Sequence, residues 1–197
     1  MAGASVAQRL DTWLSGYPDI VARRLLHKAP VLLWRLGLGR LVGRPLMLLT
    51  TTGRTSGRPR HTPLAAHRMG GRTYAWCPYG GRGHWYRNLT ANPVVTVQTA
   101  EGARSARAVR IDDDAEVADL YGLLKGFDAA LLHRYLESEG IADSVSDVVA
   151  NKGRLHLVRL APTLGPGPDP LKADLPWVWA LPAFALLWTI ANRLRSA

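Results

Sequence analysis

Between Thr50 and Arg60 the chain reads Thr-Thr-Thr-Gly-Arg-Thr-Ser-Gly-Arg-Pro-Arg, which packs three guanidinium groups and five hydroxyls into eleven residues. Forked guanidinium donors and small hydroxyls suit the oxygens of a phosphate or carboxylate. Gly53 and Gly57 bracket a tight turn that could aim backbone N–H groups at the same anion. The loop is no Walker A motif, because no Gly-Lys-Ser/Thr follows and no helix is expected there. A plainer alternative uses the same residues: a solvated Gly–Arg hairpin turn that keeps a sheet edge soluble.

The other reactive side chains form no evident catalytic set. His61, His67 and His84 have neither the spacing nor the neighbouring carboxylates of a metal site, so no metal is expected. Cys77, the single cysteine, sits mid-strand beside Trp76 and reads as a small buried hydrophobe. Arg and Gly residues near Trp85 and Tyr86 could stack single-stranded nucleic acid, but the aromatics do not repeat along a strand face and no nucleic-acid module is present. Binding equipment without a catalytic constellation is what a cofactor-borne reaction leaves in a sequence.

The elements that must position these groups follow from pattern. Leu46–Leu49 leads into the threonines as a strand. A second strand spans 61–68, at an edge or bulge because of Pro63. Met69-Gly70-Gly71-Arg72 is a hairpin turn into a strand over 72–77. A glycine-rich loop over 78–83 precedes a short helix from His84 that stops before Asn92-Pro93. Strands over 94–99 and 104–111 follow, then a helix from the Asp112–Asp114 acids to about Glu139, interrupted near Gly126, and a last strand over 152–160. Helices are expected over 5–15 and 20–38, the second broken or restarted by Pro30. The fold class is α+β: a small, mainly antiparallel barrel of about six strands with flanking helices. One domain over 1–161 carries the site, 162–174 is a Pro/Gly linker, and 175–197 is an apolar C-terminal helical tail.

Composition narrows the partners. Residues 1–110 hold 17 Lys+Arg against 3 Asp+Glu, and residues 111–197 hold 8 against 12, so +14 is followed by −4 to give the net +10. A basic first half suits an acidic partner: nucleic acid, anionic lipid or a polyanionic small molecule. One cysteine excludes an intramolecular disulfide framework and agrees with the cytoplasm, and the first residues carry no signal-peptide pattern. Leu175–Ala191 runs 17 residues without a charge, interrupted by Pro176 and Pro182. That suits a segment lying at the inner face of the membrane, with Trp177, Trp179 and Trp188 at the interface, or a tail packed on the barrel or on a second copy in a homodimer.

Taken together, Leu48–Arg60, Thr62-Pro63-Leu64, Gly80-Gly81, Trp85-Tyr86-Arg87-Asn88-Leu89 and Ala91-Asn92-Pro93 resemble the deazaflavin-dependent nitroreductase family of actinobacteria, over about residues 20–110. The resemblance implies a split β-barrel that binds coenzyme F420 and passes hydride to a small-molecule electron acceptor such as a quinone, enone or nitro compound, without nucleic acid. It places the cofactor phosphate on Arg54, Thr55, Ser56 and Arg60, with Gly57 in the same loop. The deazaflavin ring is placed against Pro63, Leu64, Trp76, Tyr79, Gly80 and Gly81, flanked by Trp85, Tyr86 and Asn88, with Thr62, His84 and Arg87 completing the set. Tyr79, Tyr86 and Tyr135 are the candidate proton donors. Tyr79 stands where many members carry lysine, and Leu132-His133-Arg134-Tyr135 replaces their tyrosine-rich substrate segment. Two rivals stay open: a related barrel using FMN, and a non-enzymatic basic module on anionic lipid or nucleic acid.

Overall fold

The computed structural model describes residues 29–180; the helix expected over 5–15, the 20–28 part of the helix expected over 20–38, and the tail beyond 180 lie outside the described residues. Seven strands form one fully antiparallel sheet: β1 (Leu46–Thr52), β2 (Pro59–Ala65), β3 (His67–Met69), β4 (Arg72–Trp76), β5 (Val94–Thr99), β6 (Gly102–Arg110) and β7 (Leu157–Pro162). Their order is β2-β1-β5-β6-β7-β4-β3. The consecutive strands β2 and β3 are therefore the two opposite edges, and the chain can pass directly between them only because the sheet curls into a half-barrel.

This arrangement corrects the single strand expected over 61–68 and raises the count from about six to seven. The break falls at Ala66, whose N–H makes the last β1–β2 rung by donating to Pro45 O at 3.0 Å before the chain crosses to β3. Pro63 sits on an edge strand, where a missing N–H is tolerated. The β3–β4 turn has Gly70 and Gly71 at φ of 55° and 74°. Two successive positive φ values define the type I′ turn that Gly-Gly favours.

The described helices are α1 (residues 29–35), α2 (Gly39–Val42), α3 (His84–Ala91), α4 (Asp114–Glu139) and α5 (Val145–Ala150). Pro30 lies among the helical residues of α1. Asp113 caps α4 by accepting from Glu116 N at 2.7 Å. The expected interruption of α4 occurs at Asp128 (φ −157°, ψ 90°). There Asp128 Oδ1 accepts from Leu131 N at 2.8 Å, which recaps the helix. Helix α5, capped by Ser144, was not expected, and the last strand starts at Leu157 because residues 152–154 form a 3₁₀ turn.

Apolar side chains divide between the two faces of the sheet. On one, Met47, Leu49, Val95, Val97 and Ala106 meet Trp85 and Leu89 of α3. On the other, Tyr74, Trp76 and Leu157 meet Leu120, Leu124, Tyr135 and Leu136 of α4 and Val148 of α5. Cys77 is buried in the first cluster, and burial pushes its thiol up to about 11. The start of α4 is pinned to the sheet by Glu116, whose carboxylate accepts from Tyr74 Oη at 2.7 Å and from Arg159 Nη1 at 2.7 and 2.9 Å. Arg72 Nη1 adds a bond at 3.2 Å.

The Pro/Gly segment after β7 is strapped to β5 and β6. Thr96 Oγ1 donates to Pro168 O at 2.5 Å, Gly167 N donates to Ser105 Oγ at 3.0 Å, and the Gln98 amide exchanges two bonds with Leu171 at 2.7 and 3.0 Å. Farther on, Asp174 takes a bidentate pair from Arg35 at 2.7 and 2.8 Å. Among the described residues no helix is long and apolar enough to cross a membrane.

Candidate functional site

Strand β1 delivers the Thr/Gly/Arg loop to one rim of the sheet, and the loop folds back on itself. Gly53 N donates to Arg58 O at 2.9 Å, while Ser56 N and Gly57 N donate to Gly53 O at 3.2 and 2.8 Å. Gly57 has φ 63°, which favours glycine. A Cβ on Gly53 would meet Ser56 Oγ at 2.7 Å and Arg58 O at 3.1 Å, so any side chain there would displace the Ser56 hydroxyl. These bonds correct one expectation: the amides of Gly53, Ser56 and Gly57 close the turn instead of pointing at an anion. The Arg54 and Arg58 amides go to Asn88 Oδ1 and Ser56 Oγ at 3.2 and 3.4 Å. The donors facing outward are therefore mainly guanidinium groups and hydroxyls.

Helix α3 supplies the facing wall. Asn88 is buried, and its Oδ1 accepts from both Arg54 N and Arg54 Nη1 at 3.2 Å, while its Nδ2 donates to Thr51 Oγ1 at 3.2 Å. One amide side chain thus ties helix, strand and loop together and orients Arg54. Arg60 Nη2 reaches Ser56 Oγ at 3.4 Å. Between loop and helix lies a cleft of about 650 Å³, with Arg54, Thr55, Ser56 and Arg60 on one side and His84, Trp85 and Asn88 on the other. Ligand sites commonly fall in this size range.

Val31 of α1 and His61 also line the cleft. His61 Nδ1 lies 2.9 Å from Thr50 Oγ1, and burial lowers its pKa, so the ring is held neutral near pH 7. Sequence reading weighed His61 only as a metal ligand; its pairing opposite Thr50 across β1–β2 is set by strand register, which the motif alone does not display.

The expected site residues fall into separate groups. Arg54, Thr55, Ser56, Arg60, Thr62, His84, Trp85 and Asn88 line the cleft, and Gly57 sits in its loop. Pro63 and Leu64 lie farther along β2, and Leu64 packs against the same core as Tyr79 and Tyr86. Trp76 lies on the other face, against Tyr135 at 5.6 Å between ring centroids. Arg87 turns away to donate to Gly81 O at 2.6 Å.

Gly80 and Gly81 cover a cluster that sequence reading missed. A Cβ on Gly80 would meet Glu139 Oε1 at 2.5 Å, and one on Gly81 would meet His156 Nε2 at 3.3 Å. His156 Nδ1 lies 3.5 Å from Glu139 and 3.3 Å from Tyr135 Oη, and the Tyr86 ring stands 5.0 Å away. Tyr135 Oη also accepts from His156 N at 2.8 Å. Burial pushes the Tyr135 phenol well above its usual range. Tyr86 and Tyr135 are thereby joined through one histidine beneath the glycine loop.

Residues 35–135 match the family model described as F420H(2)-dependent quinone reductase. Among solved structures, an F420-H2 dependent reductase is 31% identical over 48% of this chain and 84% of its own, with a TM-score of 0.37. A structure described as a domain-swapped dimer is 24% identical over 54% of this chain and 90% of its own, with a TM-score of 0.38. A protein of unknown function from Agrobacterium tumefaciens is 20% identical over 81% of this chain and 64% of its own, with a TM-score of 0.45. The sequence match runs from α1 through β6 to Tyr135 and takes in the whole Thr/Gly/Arg loop together with α3, and on that match the chain belongs to the F420H(2)-dependent quinone reductase family, oxidoreductases that use the deazaflavin coenzyme F420.

Proposed function

We propose that the cleft between the Gly53–Arg58 loop and α3 holds coenzyme F420, and that the acceptor reduced there is quinone-like and lipid-soluble. The observation that carries this reading is the cleft itself, which sets two arginines and three hydroxyls against an aromatic and amide wall. A phosphorylated, polyglutamylated cofactor is a polyanion, and the donors present fit its phosphate. When bound, the reduced deazaflavin supplies the hydride.

The chain's own residues bind, orient and protonate. Arg54, held by Asn88, and Arg60, beside Ser56, grip the phosphate. Buried Trp85 closes the wall against water. Tyr79, Tyr86 and Tyr135 lie around the Gly80–Gly81 loop, outside the cleft lining, but His156 connects the last two and the Tyr86 ring stands 5.8 Å from that of Trp85 in the cleft wall, so the proton that accompanies reduction is assigned to this tyrosine–histidine set by way of Tyr86. Arg60→Ala is expected to weaken F420 binding by about 1.5–3 kcal/mol, the range for a hydrogen bond to a charged group. A fluorescence titration with FMN as competitor tests this: binding of FMN but not F420 would overturn the assignment.

The membrane side of the reading rests on α1, α2 and the start of the tail. Leu32, Leu41 and Trp177 are 49%, 73% and 61% exposed, and Arg40 and Arg44 are exposed close to Leu41 in the chain. Val31, beside Leu32, lines the cleft, so a bilayer-dissolved acceptor would meet the site at this end. The full chain is expected to sediment with vesicles containing anionic phospholipid and less so with neutral ones. Equal recovery in the supernatant with both would remove the membrane from the proposal.

A further inference from the structure

A second cavity lies at the opposite rim of the sheet. The cleft sits where β1 ends; this cavity, of about 320 Å³, sits where β4 and β6 begin and β7 ends. Arg72, Arg104 and Arg159, one from each of those strands, line it together with Thr73, Leu160 and Pro162. It shares no lining residue with the cleft.

The charges around it do not balance. Arg72 and Arg159 both bond one carboxylate, Glu116. Arg104 donates to a neutral partner, Thr73 Oγ1, at 2.9 Å, and no carboxylate pairs with it among the described residues. Three cations and one anion leave two positive charges in excess around a single space. Like charges lining one cavity repel, and the more so where the dielectric falls. Arginines on a wet surface relieve such repulsion by swinging apart. Here Arg159 is only 29% exposed and its Nη1 is held between both oxygens of Glu116, and Arg104, though exposed, is tethered to a buried threonine on another strand.

We propose that this cavity is an anion site distinct from the cofactor cleft, taking a small dianion: a phosphate monoester or a dicarboxylate. Two excess charges match a dianion, forked guanidinium donors match either oxygen geometry, and Leu160 and Pro162 give an apolar floor for the organic part. The cavity volume lies near the lower end for small-molecule sites, which limits the ligand to metabolite size. None of this depends on the identity of the cofactor.

The test follows backbone amide resonances of the full chain during titration with inorganic phosphate at constant ionic strength, with succinate and acetate as separate arms. Phosphate is expected to give saturable shifts at Gly71, Arg72 and Thr73. Arg104→Gln, which removes an exposed side chain outside the Glu116 network, should weaken that saturation by about tenfold or more. Any phosphate response at Gly53–Gly57 should survive Arg104→Gln and be lost in Arg60→Ala. Saturation by phosphate alone supports the phosphate-ester class, and saturation by both phosphate and succinate supports a general dianion site. The proposal is overturned if acetate reproduces the shifts, if none saturates, or if Arg104→Gln leaves them unchanged.

Discussion

Glu116→Ala is expected to destabilise the protein by about 3–5 kcal/mol, the range for breaking a buried ion pair from one side. The carboxylate is 7% exposed and serves three donors on two strands. Removing it leaves the Tyr74 hydroxyl buried without its acceptor and Arg159 partly buried without its counter-charge. It also cuts the tie between the first turn of α4 and strands β4 and β7, where the second core begins. Glu116→Gln keeps the volume and one acceptor oxygen, so it should lose less. Urea unfolding of the three proteins checks the order, and an alanine variant within about 1 kcal/mol of the parent, roughly the ceiling for a surface pair, would show the network to be dispensable.

The same residue makes stability sensitive to acid. Burial alone would raise the Glu116 pKa, but the hydrogen bonds from Tyr74 and Arg159, with the Arg159 charge, outweigh it and hold it below the ordinary value. A carboxyl with a depressed folded pKa contributes stability that is full above its unfolded pKa and is lost as pH falls through the folded one. The parent should therefore lose stability below the usual carboxylate range by an amount that Glu116→Gln does not show.

What the sequence discloses here is local, and what it conceals is assembled from distant segments. The Leu46–Thr52 strand, the Gly70-Gly71 turn, the helix start at the Asp112–Asp114 acids and the short helix from His84 each rest on neighbours within a few residues, and all are present. The break between β2 and β3 at Ala66 had no glycine or proline to announce it; the curl of the sheet places it. Glu116 reads as one more acid favouring a helix start, yet its side chain crosses to residues 42 to 44 positions away. Likewise, His156 gains meaning only beside Tyr135, 21 positions earlier, and under Gly81. The Thr/Gly/Arg loop was legible as a tight, glycine-bracketed turn after β1, but not the use of its amides to close that turn.

Asn88→Leu is expected to cost about 3 kcal/mol in stability and at least tenfold in F420 affinity, and Asn88→Asp separates the two losses. Leucine matches the volume but leaves the Arg54 amide without an acceptor and the Thr51 hydroxyl without a donor, each a burden of about 1–3 kcal/mol when buried. Arg54 also loses the contact that aims it into the cleft. Aspartate keeps an acceptor for both Arg54 donors, and the Thr51 hydroxyl can turn to donate to it, so the loop should stay closed and the unfolding midpoint should move little. The new carboxylate, however, pairs with the guanidinium that the proposed phosphate requires. Loss of a charged hydrogen bond translates to about tenfold weaker F420 binding or more. If Asn88→Asp binds F420 as tightly as the parent while remaining folded, Arg54 does not hold the cofactor. If both variants unfold together, Asn88 holds the fold and says nothing separate about Arg54. A folded aspartate variant that has lost the cofactor would assign Asn88 its role: it holds a cation in place without cancelling its charge, which a neutral amide can do and a carboxylate cannot.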